Sequence, residues 1–424
     1  MSDVVANRQG GGFLVPEILA SYFILSVSTF ITTNKIFVSL AVPIIPVLAL
    51  YAFRFYEHAE DINESLVRSV LGITIASLFL FGVCKAFQLS FCSRRFVIGQ
   101  FVLAFVLPFI NYVVARLTTK TTKPIRYLVV GRESEMHHIL KEIEQKSKGK
   151  YQFVDYINPT PVVFKEKVLQ YDSVLITDPE LEKEIEEELD NIKLTHKVEY
   201  LPNLAEKVLK RIPLEVMQKF EDYYKVYFSN VQESPAKRVM DIVLSIIGLV
   251  VYSPVILVSA IWIAIEDGRP IFFRQPRVGK DGKIFTMVKL RSLKNEPIDV
   301  SNPNKNIEQR ALKIGKIIRK TRIDESIQFW NILKGEMSLV GPRPEMIEYH
   351  KMMEPNIPYY SYRLLVKPGL TGWAQINYKH SSSLEEYRTK TEYDLYYVKN
   401  RTIFLDMHVI LQTLESLVFR AGAR

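Results

Sequence analysis

Four apolar runs crowd the first 120 residues, at about Phe13–Thr32, Ile36–Phe53, Leu66–Phe87 and Phe96–Leu117. Each is near the roughly 20 residues a helix needs to cross a bilayer. A soluble core could contain one such run but hardly four, so residues 1–120 are expected to form a four-helix transmembrane region. Pro43, Pro46 and Pro108 interrupt the runs, which is tolerable where neighbouring helices satisfy the freed backbone groups. Arg116, Lys120, Lys123 and Arg126 follow the fourth run and mark that end as cytoplasmic, which puts the N-terminus there too. Arg94 and Arg95 would face outward, against that tendency, and Lys85 is expected to snorkel from a helix end. Met1–Gly12 is polar and the first run lacks a small-residue cleavage site, so no cleaved signal peptide is expected. The two cysteines, Cys84 and Cys92, make neither a disulfide framework nor a zinc site and are read as free buried thiols.

A length of 424 residues suits two or three domains, and a net charge of +9 suits anionic partners. Set beside so many apolar runs, that charge favours a lipid bilayer and phosphate-bearing ligands over nucleic acid. At Ile125 the composition changes. Strand-like Ile125–Gly131, Tyr151–Ile157, Asp172–Asp178 and His196–Pro202 alternate with helical stretches at Ser134–Lys146, Val163–Gln170, Pro179–Lys193 and Leu204–Arg211. That is the pattern of a small parallel α/β sheet over residues 121–211. Its first turn, Gly131-Arg132-Glu133-Ser134, lacks the glycines that let a pyrophosphate approach, so a scaffold or regulatory role is expected over dinucleotide binding. The acidic run Glu180–Asp190 reads as a solvated helix face, and residues 212–234 as a linker.

The most informative stretch is Arg319–Pro344, RKTRIDESIQFWNILKGEMSLVGPRP. Asp324-Glu325 follows a basic run and opens an apolar-periodic segment in which Ile327, Trp330 and Leu333 recur at spacing three. Thr321 stands at capping-box distance from Asp324. The acidic pair is therefore placed in a helix's first turn, where the dipole stabilises anions. Lys334-Gly335 ends that helix, and Gly341-Pro342-Arg343-Pro344 holds Arg343 on a stiff extended segment suited to phosphate. Acidic residues in a first turn are usually caps. The whole string, however, resembles the signature of the monotopic phosphoglycosyl transferases, the bacterial sugar transferases that begin exopolysaccharide and O-antigen synthesis. Asp324, Glu325, Gln328, Trp330, Asn331, Lys334, Gly335, Met337, Ser338 and Gly341–Pro344 match the pattern. Arg322, Ser326, Ile327 and Glu336 depart from it without removing the acidic pair.

Further features of residues 235–424 agree with a mostly α catalytic domain of this kind. Val239–Ile265 is long enough to be a fifth transmembrane helix, while Ser253-Pro254 near its middle and basic residues at both ends suit equally a helix-break-helix that enters and leaves on one side. It resembles the family's re-entrant membrane helix. Phe272–Leu293 alternates like a hairpin turning at Asp281-Gly282, and carries Arg277, Lys289 and Arg291. These cations are either simple juxtamembrane basicity or, as the resemblance implies, neighbours of the active site. Asn295–Asn306 reads as a mobile loop and Ile307–Lys320 as an amphipathic basic helix ending at the family's Arg319. Lys367–Asn377, with Gln375, matches the family and reads as a tight irregular loop. Trp373 suits a core as well as a ligand, and Asp394 suits a structural role as well as substrate binding. The match fails at Tyr378-Lys379-His380, where substrate discrimination is plausible, so no sugar is assigned. Ile403–Phe419 reads as an interfacial helix.

The resemblance implies the long form of the family: N-terminal membrane helices, a Rossmann-like middle domain and a cytoplasmic catalytic domain on the bacterial inner membrane. It implies transfer of hexose-1-phosphate from a UDP-sugar to polyprenyl (undecaprenyl) phosphate through a covalent Asp324 intermediate. Mg²⁺ would be held by Asp324 and Glu325, and Arg319, Arg343, Arg277, Lys289, Arg291, Gln375 and Asp394 would bind substrate or phosphate. A homo-oligomer is compatible with such a chain. An inactive membrane scaffold, or a membrane-bound nucleotide-sugar dehydratase or epimerase, are the alternatives. The intact acidic pair and the missing nucleotide loop argue against them respectively.

Overall fold

The computed structural model describes residues 15–422 except 54, 57–61, 89–90, 92, 119–123, 148, 159, 194–195, 295–309 and 379–382. The chain forms two compact units, residues 1–210 and 211–424.

In the first unit, α1 (Val15–Thr33), α4 (Ile62–Ala86) and α5 (Arg94–Thr118) are long apolar helices. The second expected span is instead two short helices, α2 (Ile36–Ala41) and α3 (Ile44–Ala52). Pro43 sits at the N-cap of α3, where its missing N–H interrupts the hydrogen-bond ladder. Three described N-terminal helices, not four, therefore have the length and hydropathy to cross a membrane singly. Leu25, Leu50, Ile73 and Leu107 fill the bundle's interior, while Phe23, Leu78, Phe79 and Phe109 face outward, where lipid would cover them. Lys85 is exposed near the end of α4, its ammonium 5.8 Å from the Phe81 ring. Cys84 is disulfide-bonded rather than a free thiol. A count of two cysteines cannot show whether the chain brings a partner within bonding reach. Cys92 lies outside the described residues.

The α/β part carries β1 (Ile125–Val130), β2 (Tyr151–Ile157), β3 (Ser173–Ile176) and β4 (Lys197–Tyr200), all parallel, in the order β2-β1-β3-β4. Leu128, Val130, Val174 and Ile176 pack on Phe164, Val168, Leu181 and Leu189 from the helices α7 (Pro161–Val168), α8 (Pro179–Lys183) and α9 (Glu186–Ile192), and on Ile185, the N-cap of α9. Between these strands and helices run α6 (Glu133–Lys146), which follows β1, and α10 (Leu201–Leu209), which follows β4. Gly131 serves packing: a Cβ there would stand 1.9 Å from the Thr177 hydroxyl.

In the second unit, residues 212–234, read from the sequence as a linker, carry α11 (Leu214–Lys219) and α12 (Glu221–Ser229). Tyr224 and Phe228 of α12 are buried, and the Glu392 carboxylate accepts from Leu214 N at 3.0 Å. α13 (Pro235–Asp267) is one continuous helix through Ser253-Pro254. Pro254 has no N–H for the Val250 carbonyl, and the Ser253 hydroxyl takes its place at 2.8 Å, so the expected break does not form. One face of α13 lies against the rest of the unit along its whole length. Arg238 donates to the Ile332 and Leu333 carbonyls at 2.7 and 2.8 Å, and Asp241 accepts from Ser338 Oγ and Leu339 N at 3.0 Å. Tyr252 meets the Phe329 ring, and Ile256 and Ile263 pack with Leu290, Leu312 and Ile318. The opposite face, including Ile247, Val251, Leu257, Val258 and Ile265, is apolar and exposed.

Beyond α13, β5 (Phe272–Val278) and β6 (Ile284–Leu290) form the expected hairpin, with Asp281 and Gly282 at φ 54° and 74° in its turn. The basic helix is shorter than expected, Lys313–Lys320, because Leu312 N bonds the Ser292 carbonyl and Ala311 bridges to Leu293. The expected mobile loop, 295–306, lies outside the described residues. Lys367–Asn377 is more regular than expected. Gly369–Thr371 forms β8, paired in parallel with β7 (Ser338–Val340). Glycines permit that pairing: a Cβ on Gly369 would stand 2.1 Å from Gly341 N, and one on Gly372 2.3 Å from Gly341 O.

Gly248 is the closest approach of α13 to the helix Phe329–Lys334, since a Cβ there would fall 2.7 Å from the Phe329 ring. Gly248→Leu should therefore lower stability by about 1–3 kcal/mol through overpacking. An unchanged melting temperature would contradict this packing.

Candidate active site

Asp324 and Glu325 lie in a short 3₁₀ turn, Ile323–Gln328, that leads into the helix Phe329–Lys334. Thr321 does not cap this turn. Its hydroxyl bonds back to the Ile317 carbonyl at 2.8 Å, and the N-cap is Arg322, in the left-handed region at φ 58°. Gly335, at φ 87°, ends the helix as the sequence predicts. Asn331 ties it to the hairpin: its amide donates to Thr286 O at 2.8 Å and its carbonyl accepts from Val288 N at 3.3 Å.

This brings β6 alongside the acidic pair. Lys289 Nζ reaches Glu325 Oε1 at 2.6 Å, and Arg343 Nη2 reaches the same oxygen at 3.2 Å. Burial alone would raise the Glu325 carboxyl, but Arg343 and Lys289 outweigh it and pull it down to about 2. Burial lowers the Lys289 ammonium. Asp324 behaves in the opposite way. Its burial, and then the charge of Glu325, push it up to about 6 against the pull of Lys289, Arg322 and Arg319. Desolvation thus outweighs whatever the turn's N-terminus contributes, and Asp324 remains ionised at neutral pH. Asp324 Oδ1 is buried with no hydrogen-bond partner, whereas Glu325 is held twice.

Arg343 is placed by its backbone. Arg363 Nη2 donates to the Arg343 carbonyl at 2.8 Å, Arg277 Nη1 to that of Pro344 at 3.1 Å, and Val278 N to that of Glu345 at 3.1 Å. Arg277 also donates to Gln275 at 2.7 Å and sits close enough to Arg343 to feel its charge. The sequence did not single out Arg363. It is fully buried against Asp394 at 2.9 Å, and no motif around Tyr360–Leu365 marks it.

Four further expected site residues make no hydrogen bond to the acidic pair. Asp394 is 1% exposed and committed to Arg363, which is its structural role. Arg291 is buried against the end of α13, donating to the Asp267 and Gly268 carbonyls at 2.9 Å, so it anchors that helix. Gln375 Oε1 is buried beside Gly372, with no hydrogen-bond partner among the described residues. Arg319 is exposed at the end of the basic helix, near enough to influence Asp324. Trp373 is buried, stacked 5.7 Å from Tyr396. Of the segment where the family match fails, Lys379 and His380 lie outside the described residues.

The site thus sets a carboxylate with one unpartnered oxygen beside a second carboxylate held by two cations, with Arg319 and Arg322 near enough to be felt, in a protein with several helices apolar enough to cross a membrane. Residues 232–420 match the model of the bacterial sugar transferases. The chain is 30% identical, over 89% of its length and 85% of the relative's, to a UDP-N-acetylgalactosamine-undecaprenyl-phosphate N-acetylgalactosaminephosphotransferase of Aeromonas hydrophila. It is 40% identical to a UDP-glucose:undecaprenyl-phosphate glucose-1-phosphate transferase of Klebsiella pneumoniae, over 42% of this chain and 39% of that one. An undecaprenyl-phosphate galactose phosphotransferase of Salmonella typhimurium is 35% identical over 44% of this chain and 41% of its own. The chain belongs to the bacterial sugar transferase family.

Because Asp324 is held near 6 partly by neighbouring cations, kcat/KM should fall as pH drops through that value and the carboxylate takes up its proton. Lys289 lowers Asp324, so Lys289→Met should move this acid limb to higher pH. A limb that stays put or moves down would contradict the assignment.

Proposed function

We propose that this enzyme transfers a hexose-1-phosphate from a UDP-sugar to undecaprenyl phosphate and releases UMP. The observation that carries the mechanism is the asymmetry of the acidic pair: Glu325 is held by two cations, while the half-buried Asp324 has no hydrogen-bonded cation among the described residues. An oxygen of the Asp324 carboxylate attacks the phosphorus bearing the sugar. The bond from this phosphorus to the bridging oxygen breaks, UMP leaves with the electron pair, and an aspartyl-phosphosugar anhydride remains. An oxygen of the lipid phosphate attacks the same phosphorus, the anhydride bond breaks, and Asp324 is regenerated as the carboxylate. No general base is needed, because both nucleophiles are anions. Arg343, Lys289, Arg277 and Arg319 hold the phosphates and offset the repulsion between anionic donor and acceptor.

Mg²⁺ fits this donor set as a shared ion. Among the described residues no three His, Cys, Asp or Glu side chains gather to cage a metal. Asp324 and Glu325 would hold it together with the donor's phosphates, which is how Mg²⁺ is commonly bound. When bound it neutralises the diphosphate and the charge that develops on the leaving group.

The exposed apolar face of α13 supports a helix that lays this face into one side of the bilayer and does not cross it. A crossing helix would separate its ends by roughly 30 Å of hydrocarbon. Here Arg238 at one end and Asp267 at the other both bond the same folded unit. On this reading the catalytic unit sits on the cytoplasmic face of the inner membrane and acts at the first membrane step of exopolysaccharide, O-antigen or capsule synthesis. The named relatives act on different sugars, so the donor is given only as a UDP-hexose or UDP-N-acetylhexosamine. The α/β part would serve as scaffold or regulator.

Purified enzyme with Mg²⁺ and undecaprenyl phosphate should release UMP from one member of a UDP-sugar panel, with ping-pong initial rates. Asp324→Asn should cost at least about a thousandfold in turnover, and Glu325→Gln should leave a trace. Full activity in Asp324→Asn, or intersecting rather than parallel kinetics, would overturn the mechanism. Cysteines placed at Ala236 and Arg269 should be labelled from one side of the membrane only, and labelling from opposite sides would mean a crossing helix.

A further inference from the structure

We infer that Arg322 is a phosphate-contacting residue of this active site, its guanidinium left unpaired so that it can grip a phosphoryl group arriving at Asp324. The inference rests on the transfer reaction proposed above. Its starting point is the backbone. Arg322 stands at φ 58°, ψ 15°, a conformation that suits glycine or asparagine and that an arginine occupies only under strain. The strain is held from both sides: Arg322 N donates to Arg319 O at 3.3 Å, and Glu325 N donates to Arg322 O at 3.2 Å. The residue is thus the hinge pin between the basic helix and the acidic pair. A smaller residue would fold there with less strain, so the long cationic side chain is not explained by the turn.

Nor is it explained by pairing. Lys289 and Arg343 are committed to Glu325, and Arg277 to Gln275 and the Pro344 carbonyl. The side chain of Arg322 is exposed and, among the described residues, makes neither a hydrogen bond nor an ion pair. As the N-cap of the turn that carries Asp324 and Glu325, it stands beside the pair, and its charge is felt by both carboxylates. A guanidinium held next to a nucleophile, with its donors unused, matches the planar oxygens of a phosphate. The phosphate could belong to the nucleotide-sugar donor or to the lipid acceptor, and the two half-reactions tell them apart.

Arg322→Gly and Arg322→Asn remove the charge and relieve the strain, so both proteins should fold with a melting temperature equal to or above the parent's. Arg322→Lys keeps the charge. The donor half-reaction is read as the rate of the UMP burst without lipid, and the acceptor half-reaction as sugar-phosphate transfer from loaded enzyme to undecaprenyl phosphate. The neutral variants should slow one or both by about ten- to hundredfold, the loss of a charge-assisted hydrogen bond. Arg322→Lys should restore part of it, and added salt should slow the parent more than the neutral variants. A slower burst identifies the donor diphosphate as the ligand, and a slower second step the lipid phosphate. If Arg322→Gly is stable and both steps run at the parental rate, the inference is overturned. Absence of any burst in the parent enzyme would instead overturn the two-step mechanism on which it rests.

Discussion

The site depends on one shared acceptor: Glu325 Oε1, which takes hydrogen bonds from both Lys289 and Arg343. Lys289 comes from the hairpin and Arg343 from the segment after β7, so this oxygen joins two parts of the fold that are distant in sequence. A buried carboxylate unpaired in this position would be costly, and one with two cations stays charged. Both cations go to Glu325, while Asp324, one residue earlier, has a buried Oδ1 with no hydrogen-bond partner. Two adjacent carboxyls thus differ sharply in acidity because burial raises both and only Glu325 has bonded cations that outweigh it.

Placing Arg343 takes more structure than placing the acidic pair. Backbone contact among Gly341, Gly369 and Gly372 fixes the segment from beneath. From the side, Arg363 holds the Arg343 carbonyl, and Asp394 keeps Arg363 charged in a fully buried position. Glu345, which Lys390 holds at 2.5 Å, completes the charge balance two residues beyond Arg343. α13 is tied into the same region through Lys237, whose ammonium reaches the Val340 carbonyl at 3.0 Å and Asp406 at 2.8 Å. The membrane-facing helix and the segment bearing Arg343 are therefore parts of one rigid framework.

The sequence made local features legible and long-range ones opaque. The hairpin, with Asp281-Gly282 at its turn, and the helix stop at Gly335 follow from backbone chemistry that neighbouring residues dictate. The alternation in residues 125–202 announced the parallel sheet. Asp324 and Glu325 stood out because the whole string around them was informative. The roles of Arg291 and Asp394 did not stand out, since a buried anchor and a substrate contact look alike until their partners are known. Arg363 carries no local mark because its partners lie 20 and 31 residues away. The continuity of α13 through Pro254 depended on one serine hydroxyl reaching one carbonyl, which a proline rule cannot foresee.

The central claim is that Asp324, rather than Glu325, becomes bonded to the phosphosugar. Enzyme quenched within the burst phase after mixing with UDP-sugar and Mg²⁺, with no lipid present, should gain the mass of one sugar phosphate. Peptide mapping should place that mass on Asp324, and Asp324→Asn should carry none. An adduct on Glu325, or none at any time while UMP is released on lipid addition, would contradict the account.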